Sequence, residues 1–159
     1  MRLSRFLIPA VLPLAAALAH ADALPYDETA DARAELQHAL ATAAAKKRPV
    51  LVIFGANWCP DCRALDASLK TGANAELMAK EFVIVKVDVG RFDRNLPLAE
   101  QYGNPTKKGI PAAVVLSPAG QLLYATRAGE LSNARRMSDT GVHDFFSQVV
   151  ATAAQQAPK

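Results

Sequence analysis

Val50-Leu51-Val52-Ile53-Phe54-Gly55-Ala56-Asn57-Trp58-Cys59-Pro60-Asp61-Cys62 is the stretch around which the chain is organised. Its first five residues form an apolar run, a buried-strand signal, and it closes on the only two cysteines of the protein, three positions apart. A strand that delivers Cys59 to a sheet edge, with a helix opening behind it, sets unpaired N–H groups and a positive dipole end against the sulfur. That stabilises the thiolate. Pro60 suits the first helical position, where a missing N–H costs nothing and φ is already near the helical value. Cys62 then lies under Cys59 in the same turn, close enough to close a small disulfide ring. The spacing predicts Cys59 as an exposed nucleophile and Cys62 as the resolving thiol. A structural staple stabilises by closing a long loop. A bridge this short closes almost none, so it suits reversible chemistry.

At the amino end, Arg2 and Arg5 precede an uncharged run from Phe6 to Ala19 and the small-x-small triplet Ala19-His20-Ala21. These are the parts of a secretory signal peptide over residues 1–21, cut before Asp22. The run is broken by Pro9 and Pro13 and is shorter than the ~20 residues a spanning helix needs. Export predicts a periplasmic location, or secretion if the host has no outer membrane. Roughly 140 residues remain, the size of one domain with a real core. The leader takes two of the 18 basic residues and none of the 15 acidic ones, so the remainder is close to neutral. Electrostatics therefore gives no case for nucleic acid or membrane as a partner.

Taken in order, residues 22–48 read as an N-terminal helical extension. Its helix runs from Asp31 to Lys47, capped by Asp31 and stopped by Pro49, with Leu36 and Leu40 on its inner face and His38 exposed. The strand from Val50 to Phe54 and the cysteine helix follow, the helix continuing through Leu65 and Leu69 to a break at Thr71-Gly72. A further helical piece spans about Asn74 to Glu81. Phe82 to Val89 is a second strand, parallel to the first because the crossover is long. A short helix is expected within Asp93 to Tyr102. A hairpin of Ala112–Leu116 and Gln121–Thr126 turns at Ser117-Pro118-Ala119-Gly120. After a polar loop with Arg135 and Arg136, Ser138 or Asp139 caps a last helix to about Ala153, with Val142, Phe145, Phe146 and Val149 inward. The main domain is placed at 49–153, with a flexible tail at 154–159.

Three motifs in this order, Trp58-Cys59-Pro60-Asp61-Cys62, Lys86-Val87-Asp88 and Gly109-Ile110-Pro111, carry a resemblance to the thioredoxin superfamily over roughly Pro49 to Val150. The chain is most similar to exported thioredoxin-like proteins and to the periplasmic C-terminal domain of thiol:disulfide interchange reductases. The resemblance implies an α/β thioredoxin fold, a central mixed β-sheet with helices on both faces, and no cofactor. It implies a cis Pro111 facing the cysteine pair, with Ile110 offering its backbone to an extended substrate peptide. Lys86 matches a family lysine near the site. One position departs: the family carries a buried acid six residues before the first cysteine, and this chain has Ile53. Proton transfer to and from Cys62 is then left to water, Lys86 or Asp61, or the resolving step is slow.

The expected reaction is thiol-disulfide exchange with disulfide-bearing proteins: Cys59 attacks, a mixed disulfide forms, and Cys62 releases the reduced partner. A free cysteine titrates near ~8.5, and the helix terminus lowers that value for Cys59. Asp61, in the same turn, raises it, with Arg63 as a possible counter-charge. Trp58, Pro60, Asp61 and Lys86 are accordingly read as tuning the site. The balance predicts a potential nearer about −270 mV than about −120 mV, hence a reductant fed by a membrane electron relay. Basic residues in the loops 90–108 and 127–138 are expected to rim the site. A monomer is expected. Zinc lacks ligands, since His38 and His143 are not at ligand spacing. The alternative from another class is copper delivery through the same two soft thiolates.

Overall fold

The computed structural model describes residues 24–157. The signal peptide read at 1–21 lies outside them. No helix among the described residues is long and apolar enough to cross a membrane.

The chain runs through α1 (Ala32–Lys46), β1 (Val50–Gly55), α2 (Pro60–Leu69), α3 (Gly72–Glu81), β2 (Val83–Asp88), α4 (Leu96–Glu100), β3 (Ala112–Leu116), β4 (Leu122–Ala125) and α5 (Asp139–Gln156). The strands form one sheet in the order β2-β1-β3-β4. β1 pairs parallel with β2 and antiparallel with β3, and β3 pairs antiparallel with β4, so the sheet is mixed. All six residues of β1 are buried, as an uninterrupted apolar run requires of a strand covered on both faces.

Strand alternation divides the core in two. Val50, Val52 and Phe54 face α1 and α4, together with Leu36, Ala39, Val85, Val87, Leu98 and Val114. Leu51 and Ile53 face α2, α3 and α5, together with Leu65, Met78, Val115, Val142 and Phe146. Fully burying a Phe or Leu contributes about 1.5–3 kcal/mol. Phe54 and Phe146, each with no exposed surface, anchor the two layers. This is the α/β mixed sheet with helices on both faces that the motif order predicts.

Several boundaries differ from the sequence reading. α3 begins at Gly72, two residues before Asn74. Of the helix expected within Asp93–Tyr102, only Leu96–Glu100 forms, because Phe92 and Asn95 adopt left-handed backbone that interrupts it. A 3-10 turn over Pro105–Lys108 follows. Ser138, rather than Asp139, caps α5 by accepting the Gly141 N–H. α5 continues through Gln156, past the expected end at 153, because Ala153 is still buried against the sheet. The boundary drawn at residue 48 is also not a structural divide. α1 packs its Ala32, Leu36, Ala39 and Ala43 face onto the sheet, and Tyr26 lies in the same core.

Candidate active site

β1 ends at Gly55, and the short link Ala56-Asn57-Trp58 brings the chain to Cys59, the N-cap of α2. The cap is made by sulfur: Cys59 Sγ accepts the Cys62 N–H at 3.2 Å. Pro60 occupies the first helical turn, where no donor is lost. Cys59 and Cys62 are joined in a disulfide with Cα atoms 5.2 Å apart. Across from them the Ile110–Pro111 peptide is cis, and the Ile110 carbonyl oxygen stands 3.7 Å from Cys59 Sγ. The expectation of an exposed Cys59 needs correction. It is 4% exposed and Cys62 not at all, because the sulfurs sit under the Ile110 segment and above the β1 end of the core.

The family model for thioredoxin-like proteins matches residues 31–118, more than half of the chain. The chain belongs to the thioredoxin-like family. It is similar to the crystal structure of a disulphide isomerase from Xylella fastidiosa Temecula1, at 53% identity and a TM-score of 0.79, covering 81% of this chain and 98% of that one. A thioredoxin from Thermus thermophilus shares the fold at 23% identity and a TM-score of 0.54, covering 76% of this chain and 85% of that one. The DsbH oxidoreductase shares it at 17% identity and the same TM-score, over 95% of both chains. No curated protein matches the chain. With its cysteine pair closed at the helix N-terminus, it is a thioredoxin-like disulfide oxidoreductase.

Around the thioredoxin-like pair the structure rearranges the expected tuning groups. Trp58 is 44% exposed; its Nε1 donates to the Gly90 carbonyl at 2.7 Å, the Arg91 guanidinium lies 5.6 Å over its ring, and Phe92 meets it edge-on at 6.4 Å. Asp61 does not stand free beside Cys59. Its Oδ1 accepts the Arg135 backbone N–H at 3.0 Å, with the Arg135 side chain 3.8 Å away. The counter-charge is therefore Arg135, supplied by the loop before α5, and not Arg63.

Lys86 does not stand free. It forms an ion pair with Asp66, whose other oxygen takes Lys70 at 2.7 Å. Asp66 sits one helical turn beyond Cys62 on the inner face of α2 and is 9% exposed. A buried carboxylate needs such partners to offset lost hydration. Asp88, at the end of β2, receives the Gly90 N–H at 3.1 Å and Arg94 at 3.3 Å. Burial nevertheless raises its carboxyl above the usual range, against the pull of those two donors. Of the basic residues expected to rim the site, Arg94 and Arg135 are thus engaged with carboxylates.

Sequence reasoning missed three contributors. Asp66 follows Leu65 on the buried stripe of α2, and its spacing of four from Cys62 was the available signal. Asn57 and Tyr26 clasp one another: the Tyr26 N–H donates to Asn57 Oδ1 at 3.0 Å, and Asn57 Nδ2 donates to the Tyr26 carbonyl and to Glu28 Oε1, both at 2.9 Å. No periodicity links residues this far apart. Among the described residues no group of three or more His, Cys, Asp or Glu side chains is placed to hold a metal ion. The copper alternative therefore rests on the two sulfurs alone.

Proposed function

We propose that this chain is an exported protein-disulfide reductase that works in the periplasm by dithiol/disulfide exchange at Cys59 and Cys62. The observation that carries the reading is the sulfur cap. Reduced Cys59 would present its thiolate to the Cys62 N–H and to the dipole of α2, the environment that makes a thiol nucleophilic near neutral pH. Cys59 attacks one sulfur of the partner's disulfide, and the other partner sulfur leaves as a thiolate. Cys62 then attacks Cys59 Sγ, closing the Cys59–Cys62 bond and releasing the second partner sulfur. Two electrons pass from the dithiol to the partner, and the protons of the two cysteines end on the partner's two thiols by way of solvent.

Ile110, through its carbonyl beside Cys59, and Pro111, which turns the chain there, would bind the backbone of an extended substrate segment. Trp58 would form one wall of that groove, Pro60 would keep the helix start rigid, and Lys86 would act through Asp66. The relative at 53% identity is titled a disulphide isomerase. Isomerisation and reduction begin with the same attack by a reduced first cysteine, so that title supports keeping the pair reduced. Asp61, in the first turn of α2, opposes the thiolate and favours a reducing potential even with Arg135 beside it. Work as a reductant outside the cytoplasm calls for electrons from a membrane relay, and a monomer is the expected form.

The test is the equilibrium of the pair against glutathione. A potential below about −230 mV is expected; a value near −120 mV would recast the protein as an oxidant of folding clients. Export is tested by sequencing the amino terminus of protein recovered from the periplasmic fraction, where a start at Asp22 is expected.

A further inference from the structure

Cys62 must become a thiolate before it can release a partner, yet its side chain is wholly buried and strand position 53 is an apolar Ile. One buried polar group shares with its sulfur the space beside Gly55. Gly55, at the end of β1, lacks the Cβ that would project toward α2, and the Tyr26 hydroxyl fills that place. A Cβ built there would overlap the hydroxyl and stand 3.1 Å from Cys62 Sγ. The phenol oxygen and the sulfur are therefore both held against one point of the Gly55 backbone. Tyr26 is 3% exposed, and its main chain is fixed by the reciprocal clasp of Asn57, two residues before Cys59. The hydroxyl is thus delivered from outside the sheet by a tether built into the active-site loop.

We infer that Tyr26 is a positioning residue for the resolving step: its hydroxyl donates a hydrogen bond to the Cys62 thiolate when the disulfide is open. The inference rests on the dithiol exchange proposed above and assigns its second half. Burial first, then the charges of Asp66 and Asp88, hold the Tyr26 proton on its oxygen well above the ordinary range for a phenol. A hydroxyl that keeps its proton has one to donate, a thiolate can only accept, and a donor favours the charged form of its acceptor. The other charged groups facing this place each have a partner. On α2, Asp66 is held by Lys70 and by Lys86 of β2, and Asp61 is turned to Arg135. On β2, Asp88 is held by Arg94, while Glu28 binds Asn57.

In the step itself the Cys62 proton goes to solvent and Cys62 Sγ bonds to Cys59 Sγ. The bond from Cys59 to the partner breaks, and the partner sulfur departs with the electron pair and takes a proton from solvent. Tyr26 ends the cycle with the proton it began with.

The probe is Ellman's reagent mixed with the reduced full-length protein, because it releases one coloured thiolate when Cys59 attacks and a second when Cys62 closes the ring. In Tyr26→Phe the first phase should be unchanged and the second slowed by about threefold to tenfold near neutral pH. A charge-assisted hydrogen bond shifts a thiol by about one to two pH units, and the gain in nucleophilicity recovers part of the lost thiolate. The pH profile of the second phase should move upward with it. A slowing of less than about threefold, with an unmoved profile, overturns the inference. Release of only one equivalent of coloured thiolate by the wild-type protein would instead overturn the exchange reading. A measurement on the wild type stands if the variant does not fold. In the reduced protein the ¹³Cζ resonance of Tyr26 should titrate with the same midpoint as the ¹³Cβ of Cys62, and a Tyr26 resonance blind to that midpoint overturns the inference.

Discussion

Replacing Asn57 by Ala tests how the amino-terminal segment is fastened to the active-site loop. The Asn57 side chain, in a residue 8% exposed, satisfies both main-chain groups of Tyr26 and reaches Glu28. Alanine removes all three bonds and strands an N–H and a carbonyl beside a nearly buried ring. A typical hydrogen bond contributes about 1 kcal/mol net, but a buried group left unpaired costs about 1–3 kcal/mol. Two such groups give about 2–6 kcal/mol, and the partly exposed Glu28 bond adds little. For a domain of this size that is a fall of about 10 °C in melting temperature. The assay is urea and thermal unfolding of the oxidised protein at neutral pH, paired with amide hydrogen exchange. If residues 24–31 open as a local unit, the exchange rates there rise even where global unfolding hides part of the loss. A stability loss under about 1 kcal/mol, with amide protection at Tyr26 intact, would refute the clasp as a fastening.

Asp61→His should raise the reduction potential by about 30 mV or more, since it trades a carboxylate for a group that favours the thiolate; no change against glutathione would remove Asp61 from the tuning argument. Glu130 is partly buried, yet the N–H groups of its own residue, Arg127, Ala128 and Gly129 hold it below the usual carboxylate range. Its unfolded form binds the proton more tightly, so its stabilisation is present above 4.5 and is lost as pH falls through its lower folded value. Glu130→Gln should therefore flatten the acid limb of a plot of melting temperature against pH. Asp88 has the opposite sign: raised by burial, its contribution is present below 3.8 and lost as pH rises through the folded value, so Asp88→Asn should gain on the wild type with rising pH. Phe92 holds φ at 63° with its ring 43% exposed, so Phe92→Asn should stabilise by about 1 kcal/mol in urea unfolding. A net loss would mean that the edge contact with Trp58 outweighs the backbone strain.

Local pattern explains most of what was legible. The apolar run Val50–Phe54, the proline after Cys59 and the cap at Asp31 each act on residues within one or two turns, so their reading survives folding unchanged. The shortened α4 was not legible, because left-handed Phe92 and Asn95 are held by the loop's own bonds, with Asn95 Nδ2 donating to the Asp88 carbonyl at 2.8 Å. The depth of Cys59 was hidden for a similar reason: the segment that covers it lies 51 residues further on.

By itself the sequence determined the order of elements, the parallel crossover and the thiol pair at a helix N-terminus, since these follow from periodicity, capping and chain connectivity. Only the tertiary structure decided which charges meet which. Asp61 found Arg135, Lys86 found Asp66, and Tyr26 was brought to the empty side of Gly55 next to Cys62. Side-chain pairings of this kind depend on the packing of elements distant in the chain, and a hydrogen bond forms only within about 3.5 Å. Contacts absent from local order are therefore settled only when the core closes.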